Sequence, residues 1–289
     1  MHKNIPSTAA KEIVSLISSK LDKIGVMYRI FSRVKEESSL NKKIESDEKY
    51  INGEAKIQDL VGIRIVLYFP DDIELVHSVV SSSYSESKKD ASIDDLDANT
   101  FKPVRYNLVY NLLDDTKYSL STTNEDFVDN TFELQIRTVF SEGWHEVEHD
   151  LRYKFQDDWL NNSSESRKLN GVYATLETSE WTMVQLLEEV AYKHYKNGSW
   201  EAMFRQRLRL RMRGFKLNEC LNNIFDNNYE LAKKFYRIDR FNLIQELYKR
   251  EYSYPLELTN IVLFCNTVFI KNEAIIKITP PEFFDEFSA

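Results

Sequence analysis

The octapeptide Thr131–Thr138, TFELQIRT, alternates apolar and polar side chains without a break. Phe132, Leu134 and Ile136 share one face of an extended chain, and Glu133, Gln135 and Arg137 share the other. Such a period of two predicts a β-strand with one buried face. A lone strand buries nothing, so the chain must contain a sheet with a second layer packed on it. Val61–Phe69, VGIRIVLYF, repeats the signature, with every odd position apolar and Arg64 on the opposite face.

Helical spacing frames these strands. Residues 8–30 predict a helix striped by Ile13, Val14, Ile17, Leu21 and Ile24, and residues 71–83 predict a second. A helix over 139–155 carries Phe140, Trp144, Val147 and Leu151 at steps of four, three and four. Further strands are expected at 104–113 and 116–122, and a loop over the polar stretch 81–100. From 168 to 250 the pattern is mainly helical, and Ile261–Ile270 with Ala274–Ile278 is read as a terminal hairpin turning at residues 271–273. The expected fold class is α/β, a mixed β-sheet with flanking helices followed by a mostly helical C-terminal region. Asn197-Gly198 breaks the helical pattern, which places a soft boundary between a domain at 1–195 and an accessory region at 196–289.

Composition narrows the function. With 7 glycines, the nearest pair being Gly53 and Gly62, neither a dinucleotide fingerprint nor a phosphate-binding glycine loop is present. A bound nucleotide must be held by side chains. Two cysteines exclude a disulfide scaffold and a four-cysteine zinc site. The longest apolar run, Ile261–Ile270, is about half a membrane span, and the N-terminus lacks the apolar block of a signal peptide. A soluble, cytoplasmic protein with no membrane partner is expected. The net charge of −8 argues against DNA as a partner.

Glu133, Gln135 and Arg137 form either a solvated sheet face or the floor of an active site. In the second case a carboxylate on a rigid strand binds a metal or takes a proton, and an arginine two residues on holds a phosphate. Asp59 precedes the other strong strand. Arg64, if buried beside apolar neighbours, needs an anionic partner, either a protein carboxylate or a nucleotide. A competing motif is present: His145-Glu-Val-Glu-His149 matches the zinc-protease pattern H-E-x-x-H. The charged Glu148 and Asp150 count against a dry zinc site, and that reading leaves Asp59, Arg64, Glu133 and Arg137 unexplained.

Four motifs in order point elsewhere. They are Arg33-Val-Lys35-Glu-Glu-Ser-Ser39-Leu-Asn-Lys-Lys43, Asp59-Leu-Val-Gly-Ile-Arg64, Glu133-Leu-Gln135-Ile-Arg137-Thr138, and Trp144 through Glu148-His149 to Tyr153-Lys154. Over about residues 20–195 the chain resembles the RelA/SpoT-type alarmone synthetase domain, small alarmone synthetases included. The resemblance implies a nucleotidyltransferase-like synthetase fold and a pyrophosphokinase. Such an enzyme moves the β,γ-pyrophosphoryl group of ATP to the ribose 3′-hydroxyl of GDP or GTP. It implies Asp59 and Glu133 as the catalytic carboxylates and as ligands of Mg²⁺. It implies Arg33, Lys35, Ser39, Lys43 and Arg64 as the ATP-binding set, and Tyr106, Gln135 and Arg137 on the acceptor side.

The family's Y-x-S-x-H acceptor loop is best matched by Tyr106-Asn-Leu108-Val-Tyr110, which keeps the tyrosine and loses the serine and histidine. Stacking tolerates any base whereas edge hydrogen bonds select one. The alternative acceptors are therefore the tRNA 3′ CCA end or adenosine nucleotides, as in the family's growth-arresting toxins. An antitoxin or a second copy of the chain is then a partner. A non-catalytic nucleotide- or RNA-binding relative is the second alternative. Arg205, Arg207, Arg209, Arg211 and Arg213, in an otherwise acidic chain, form either an RNA or partner patch or a set of intramolecular pairs. No hydrolase domain fits ahead of residue 20, so hydrolysis is not expected. The aromatic C-terminus, with Phe283, Phe284 and Phe287, is either a docking tail or part of its own domain.

Overall fold

A computed structural model describes residues 5–87, 92–93, 106–113 and 125–288. They form two compact units. One takes the chain through Ser19 together with Tyr28–Glu180, and the other takes Lys20–Met27 and everything from Trp181 onward. The division between Glu180 and Trp181 falls inside a long helix; the boundary read from Asn197-Gly198 coincides with the end of that helix at Lys196.

The first unit is built on a mixed sheet. Helix α1 (Ile5–Lys23) precedes strand β1 (Tyr28–Val34), and helices α2 (Glu37–Glu45) and α3 (Glu48–Ile51) lead to β2 (Val61–Leu67). Helix α4 (Ile73–Ser81), β3 (Ser92–Ile93), β4 (Tyr106–Asn111) and β5 (Thr131–Thr138) follow, then α5 (Val139–Glu148) and α6 (Ser163–Lys196). The strand order is β1-β2-β5-β4-β3, with β2 and β5 parallel and the other neighbours antiparallel.

β5 spans the alternating octapeptide to the residue. Phe132, Leu134 and Ile136 lie in the core with Ile63, Ile65 and Leu67 of β2, while Glu133, Gln135 and Arg137 stay half-buried on the far face. The register aligns that far face across the sheet. Arg33, Gly62, Glu133 and Val109 form one lateral row, and Phe31, Arg64, Gln135 and Asn107 form the next. Arg33, Arg64 and Glu133 are therefore brought onto one face of the sheet across β1, β2 and β5.

Three expectations are corrected. The helix read over 8–30 ends at Lys23, because Gly25 takes φ +72°, a left-handed stop after which the chain extends into β1. The helix read over 139–155 is α-helical only to Glu148 and then widens into a π-turn over His149–Tyr153. Trp144 is buried but Val147 and Leu151 are 49% and 62% exposed, so the apolar stripe does not face the core along its whole length. The terminal hairpin is instead a helix over Leu258–Cys265, a π-turn over Asn266–Ile270 and a short helix over Glu273–Ile276. An unbroken apolar run suits a buried helix as well as a buried strand, and every residue from Ile261 to Cys265 is buried. Asn266 fixes the turn through hydrogen bonds with the Asn272 backbone at 2.9 and 3.2 Å. The strand expected at 116–122 lies outside the described residues.

The second unit is mainly helical, with an extended stretch between the helices Trp200–Leu208 and Glu219–Asn227. Phe204, Phe225 and Phe235 cluster at one centre, and Tyr252, Phe264, Phe283 and Phe287 at another, where Tyr252 stacks on Phe287. Phe283 and Phe287 are buried there, so the aromatic C-terminus is part of its own domain and not a docking tail.

Candidate active site

The polar strip floors a cleft of about 690 Å³ whose walls come from β1, β2, β5 and α5 with its π-turn. Seven of the residues singled out from sequence reach it: Arg33, Lys35, Asp59, Arg64, Glu133, Gln135 and Arg137. β1 supplies Arg33 and runs into Lys35, whose backbone N–H donates to the Leu60 carbonyl at 2.9 Å and so fixes it beside Asp59. Ser39 is exposed on α2, one turn before Lys43, and lies outside the cleft lining. Lys43 reaches the cleft through Asp59.

At one end the Asp59 carboxylate accepts from Lys35 at 2.6 Å and from Lys43 at 3.0 Å, one oxygen each. Burial works to raise its pKa, but the two ammonium groups outweigh burial and hold it below the usual carboxylate range. Burial likewise works against the charge on Lys43, and Asp59 overcomes it and raises that pKa. This end is charge-neutralised only in part: two cations share one anion.

The centre is an arginine pair. Gln135 Oε1 accepts from Arg64 Nε at 3.1 Å and from Arg137 Nη2 at 3.0 Å. Glu142 lies across both guanidiniums, its two oxygens accepting from Arg64 at 2.7 Å and Arg137 at 2.8 Å. Glu146 also accepts from Arg64. Burial and the neighbouring Arg64 charge push the Arg137 pKa down, whereas Glu142 and Glu146 outweigh burial at Arg64 and raise it. Glu133 lies on the floor between this pair and the lysine end, and accepts from Gln135 Nε2 at 3.4 Å.

At the far end His149, Asp150 and Lys154 join the lining. Asp150 holds Lys154 at 2.6 Å and His149 at 3.0 Å, and the His149 ring stacks on Tyr153 at 5.6 Å. Glu142, Glu146, Asp150 and Lys154 were not separable from sequence as site residues: helical spacing alone does not say which side of α5 faces the cleft, and beyond Glu148 the π-turn changes the spacing. The signal for Glu146, Asp150 and Lys154 was the Trp144-to-Lys154 motif, read as a whole; Glu142 precedes it.

The zinc reading of His145–His149 fails on geometry. His145 is 3% exposed and packs between Trp144 and Tyr173, while His149 opens on the cleft. Among the described residues no group of three or more His, Cys, Asp or Glu side chains is placed to hold a metal. Asp59 and Glu133 supply two carboxylates in one cleft. That suits a hard divalent cation completed by phosphate oxygens and water, the usual habit of Mg²⁺.

The acceptor-side match changes meaning. The Tyr106 side chain lies outside the described ones; its backbone pairs with Ile136. Leu108 and Tyr110 are fully buried on the core face, opposite Leu134 and Phe132, and their intervening neighbours Asn107 and Val109 pair with Gln135 and Glu133. The Tyr110 hydroxyl bonds Ser81 at 2.9 Å, and burial pushes its pKa up to about 12. Leu108 and Tyr110 therefore carry no information about acceptor choice. Tyr110→Phe is expected to cost about 0.5–1.5 kcal/mol in urea unfolding, the worth of one hydrogen bond, and to leave acceptor preference unchanged. A changed preference at unchanged stability would put the position back in the site.

The arginine run does not form one face. Arg205 is exposed on the helix Trp200–Leu208. Arg207 is committed to Glu188 at 2.6 Å and to the Tyr236 carbonyl at 3.1 Å. Arg209 is buried, at φ +50°, where the helix stops. Only then does the chain extend, and Arg211 and Arg213 are exposed beside buried Leu210 and Met212. The period changes from helix to strand in the middle of the run, which splits the patch.

Residues 32–158 match the model of the region found in RelA/SpoT proteins. Among solved structures, small alarmone synthetase 1 from Bacillus subtilis is 22% identical, with a TM-score of 0.42 over 63% of this chain and 94% of its own. Small alarmone synthetase 2 from the same organism is 22% identical, with a TM-score of 0.44 over 63% and 92%. A GTP pyrophosphokinase family protein from Streptococcus pneumoniae is 19% identical, with a TM-score of 0.43 over 63% and 88%. No curated protein matches the chain. No helix among the described residues is long and apolar enough to cross a membrane.

Proposed function

We propose that this protein is a pyrophosphokinase that moves the β,γ-pyrophosphoryl group of ATP to the 3′-hydroxyl of GDP or GTP, in the cytoplasm. The observation that carries the reading is one cleft within the RelA/SpoT-matched residues that holds Asp59, Glu133 and a line of cations from Lys35 to Arg137. Glycine-poor chains must neutralise phosphates with side chains, and this cleft is lined to do so.

The chemistry is an in-line displacement at the β-phosphorus. The acceptor 3′-oxygen forms a new bond to it, the bond to the α-phosphate oxygen breaks, and AMP leaves with that oxygen. Little covalent work falls to the protein, so positioning and charge neutralisation dominate. Arg33, Lys35, Lys43 and Arg64 hold the ATP phosphates, with Ser39 at the edge of that set. Glu133, on a rigid strand, takes the 3′-hydroxyl proton. Gln135 and Arg137 orient the acceptor. Asp59 and Glu133 are the side chains that would hold Mg²⁺, which when bound supplies charge neutralisation on the phosphates.

Leu108 and Tyr110, from which a tRNA or adenosine acceptor is argued, are core residues; GDP or GTP is the acceptor proposed, and tRNA and adenosine nucleotides are the alternatives. The test supplies the protein with γ-labelled ATP and, in separate reactions, GDP, GTP, ATP and bulk tRNA. Labelled guanosine product is expected, with AMP released in equal amount. Label on tRNA or adenosine instead would reassign the acceptor, and no transfer to any of them would remove the enzyme.

A further inference from the structure

Glu142 and Glu146 sit one helical turn apart on α5, and both reach the arginine pair, but they do so differently. Glu142 gives one oxygen to each guanidinium and is 19% exposed. It straps the pair together from beneath. Glu146 turns a single oxygen, Oε1, toward both: it accepts from Arg64 Nη1 and stands 3.8 Å from Arg137 Nη1. It does this from the open side of the cleft and is 51% exposed.

We propose that Glu146 is a displaceable internal counter-ion, a carboxylate that occupies the anion position between Arg64 and Arg137 until a phosphate oxygen takes its place. Arg64 does not need Glu146 to be oriented, since Gln135 and Glu142 already hold its Nε and Nη1. What remains is charge. Two guanidiniums and one strapping carboxylate leave a net positive unit at the centre of the cleft, and Glu146 cancels it. A half-exposed carboxylate held by one close contact is a weak ligand, because water competes for both partners. A phosphate chain carries more charge, offers several oxygens and engages an arginine pair at two points. It displaces Glu146 where a singly charged anion does not. Glu146 thus sets a threshold: the cleft discriminates polyphosphates from the small anions of the cell before any acceptor binds. The identity of the displacing group rests on the phosphate-transfer reading; the displaceable contact itself rests on the arginine pair.

The test is a calorimetric titration of inorganic pyrophosphate into the full-length chain, without metal, for the parent protein, Glu146→Gln and Glu142→Gln. Glu146→Gln removes the competing charge at nearly constant shape and is expected to bind pyrophosphate roughly three- to tenfold more tightly, in line with the modest strength of an exposed ion pair. Glu142→Gln loosens the strap and is expected to bind it more weakly. Unchanged or weaker binding by Glu146→Gln overturns the proposal, and so does the absence of pyrophosphate binding in all three proteins. Glu146→Ala, at the same half-exposed position, must agree with Glu146→Gln in direction. The transfer assay separates the two readings. Tighter pyrophosphate binding by Glu146→Gln without any nucleotide product retires the pyrophosphokinase and keeps the counter-ion; product formation with unchanged affinity does the reverse.

Discussion

Glu133→Gln is expected to abolish pyrophosphate transfer while ATP still binds. The substitution keeps the shape of the side chain and its place on β5, opposite Gly62 and Val109, so the floor of the cleft is undisturbed. It removes the proton acceptor. General-base catalysis typically contributes 10²–10⁴-fold, roughly, and the loss in kcat should be at least of that order. ATP affinity should change little if the lysines and arginines carry phosphate binding. Single-turnover transfer with labelled ATP measures the first quantity and equilibrium binding of a non-hydrolysable ATP analogue the second. The same pair of measurements divides Glu133's two assigned roles. Loss of turnover at constant magnesium requirement identifies a base, and a raised magnesium requirement identifies a metal ligand. A fully active Glu133→Gln protein removes Glu133 from the chemistry.

Much of the site was legible in the sequence because strands present a simple code. A period of two puts Glu133, Gln135 and Arg137 on one face, and the parallel pairing of β5 with β2 carries Arg64 and Gly62 onto that face as well. No part of that inference needs tertiary knowledge beyond adjacency of the two strands. Helices were less legible where their geometry changed midway. Beyond Glu148 the π-turn shifts the spacing, His149, Asp150 and Lys154 line the cleft, and an apolar stripe counted at ideal spacing cannot anticipate the inserted residue. The arginine run misled for a related reason. Its even spacing holds along the sequence, but the helix stops at Leu208, so neighbours in the pattern are not neighbours in space. The match at Tyr106–Tyr110 failed by strand parity: Leu108 and Tyr110 share the core face, and only Asn107 and Val109 oppose Gln135 and Glu133. The half of the strand that carries Asn107 and Asn111 is the one that shares the face of Glu133 and Gln135.

Asp59→Asn should cost activity and stability together, and pH separates the two. The carboxylate lies between Lys35 and Lys43, so its removal leaves two ammonium groups close together with no anion between them. Like charges then oppose the folded arrangement, and the stability of the variant should fall at neutral pH. Asp59 has its pKa lowered in the folded chain, because the lysines more than offset the cost of burial. An acid with a depressed folded pKa contributes stability that is present above its unfolded value, about 3.9, and lost as pH falls through the folded value. The difference in urea midpoint between the parent protein and Asp59→Asn should therefore be largest near pH 7 and shrink once the pH drops below about 4. A difference that stays constant into acid would mean that the two lysines do not hold Asp59 in solution. Activity should behave otherwise. Without Asp59 the cleft gains net positive charge, so metal-free ATP is expected to bind at least as well as before. The magnesium concentration needed for transfer should rise and turnover should drop about 100-fold or more, since only Glu133 remains to meet the cation. Tighter nucleotide binding with lost turnover is the pattern of a residue that serves the transition state and not the ground state. Weaker binding of metal-free ATP would instead show that Asp59 acts by holding the lysines in place.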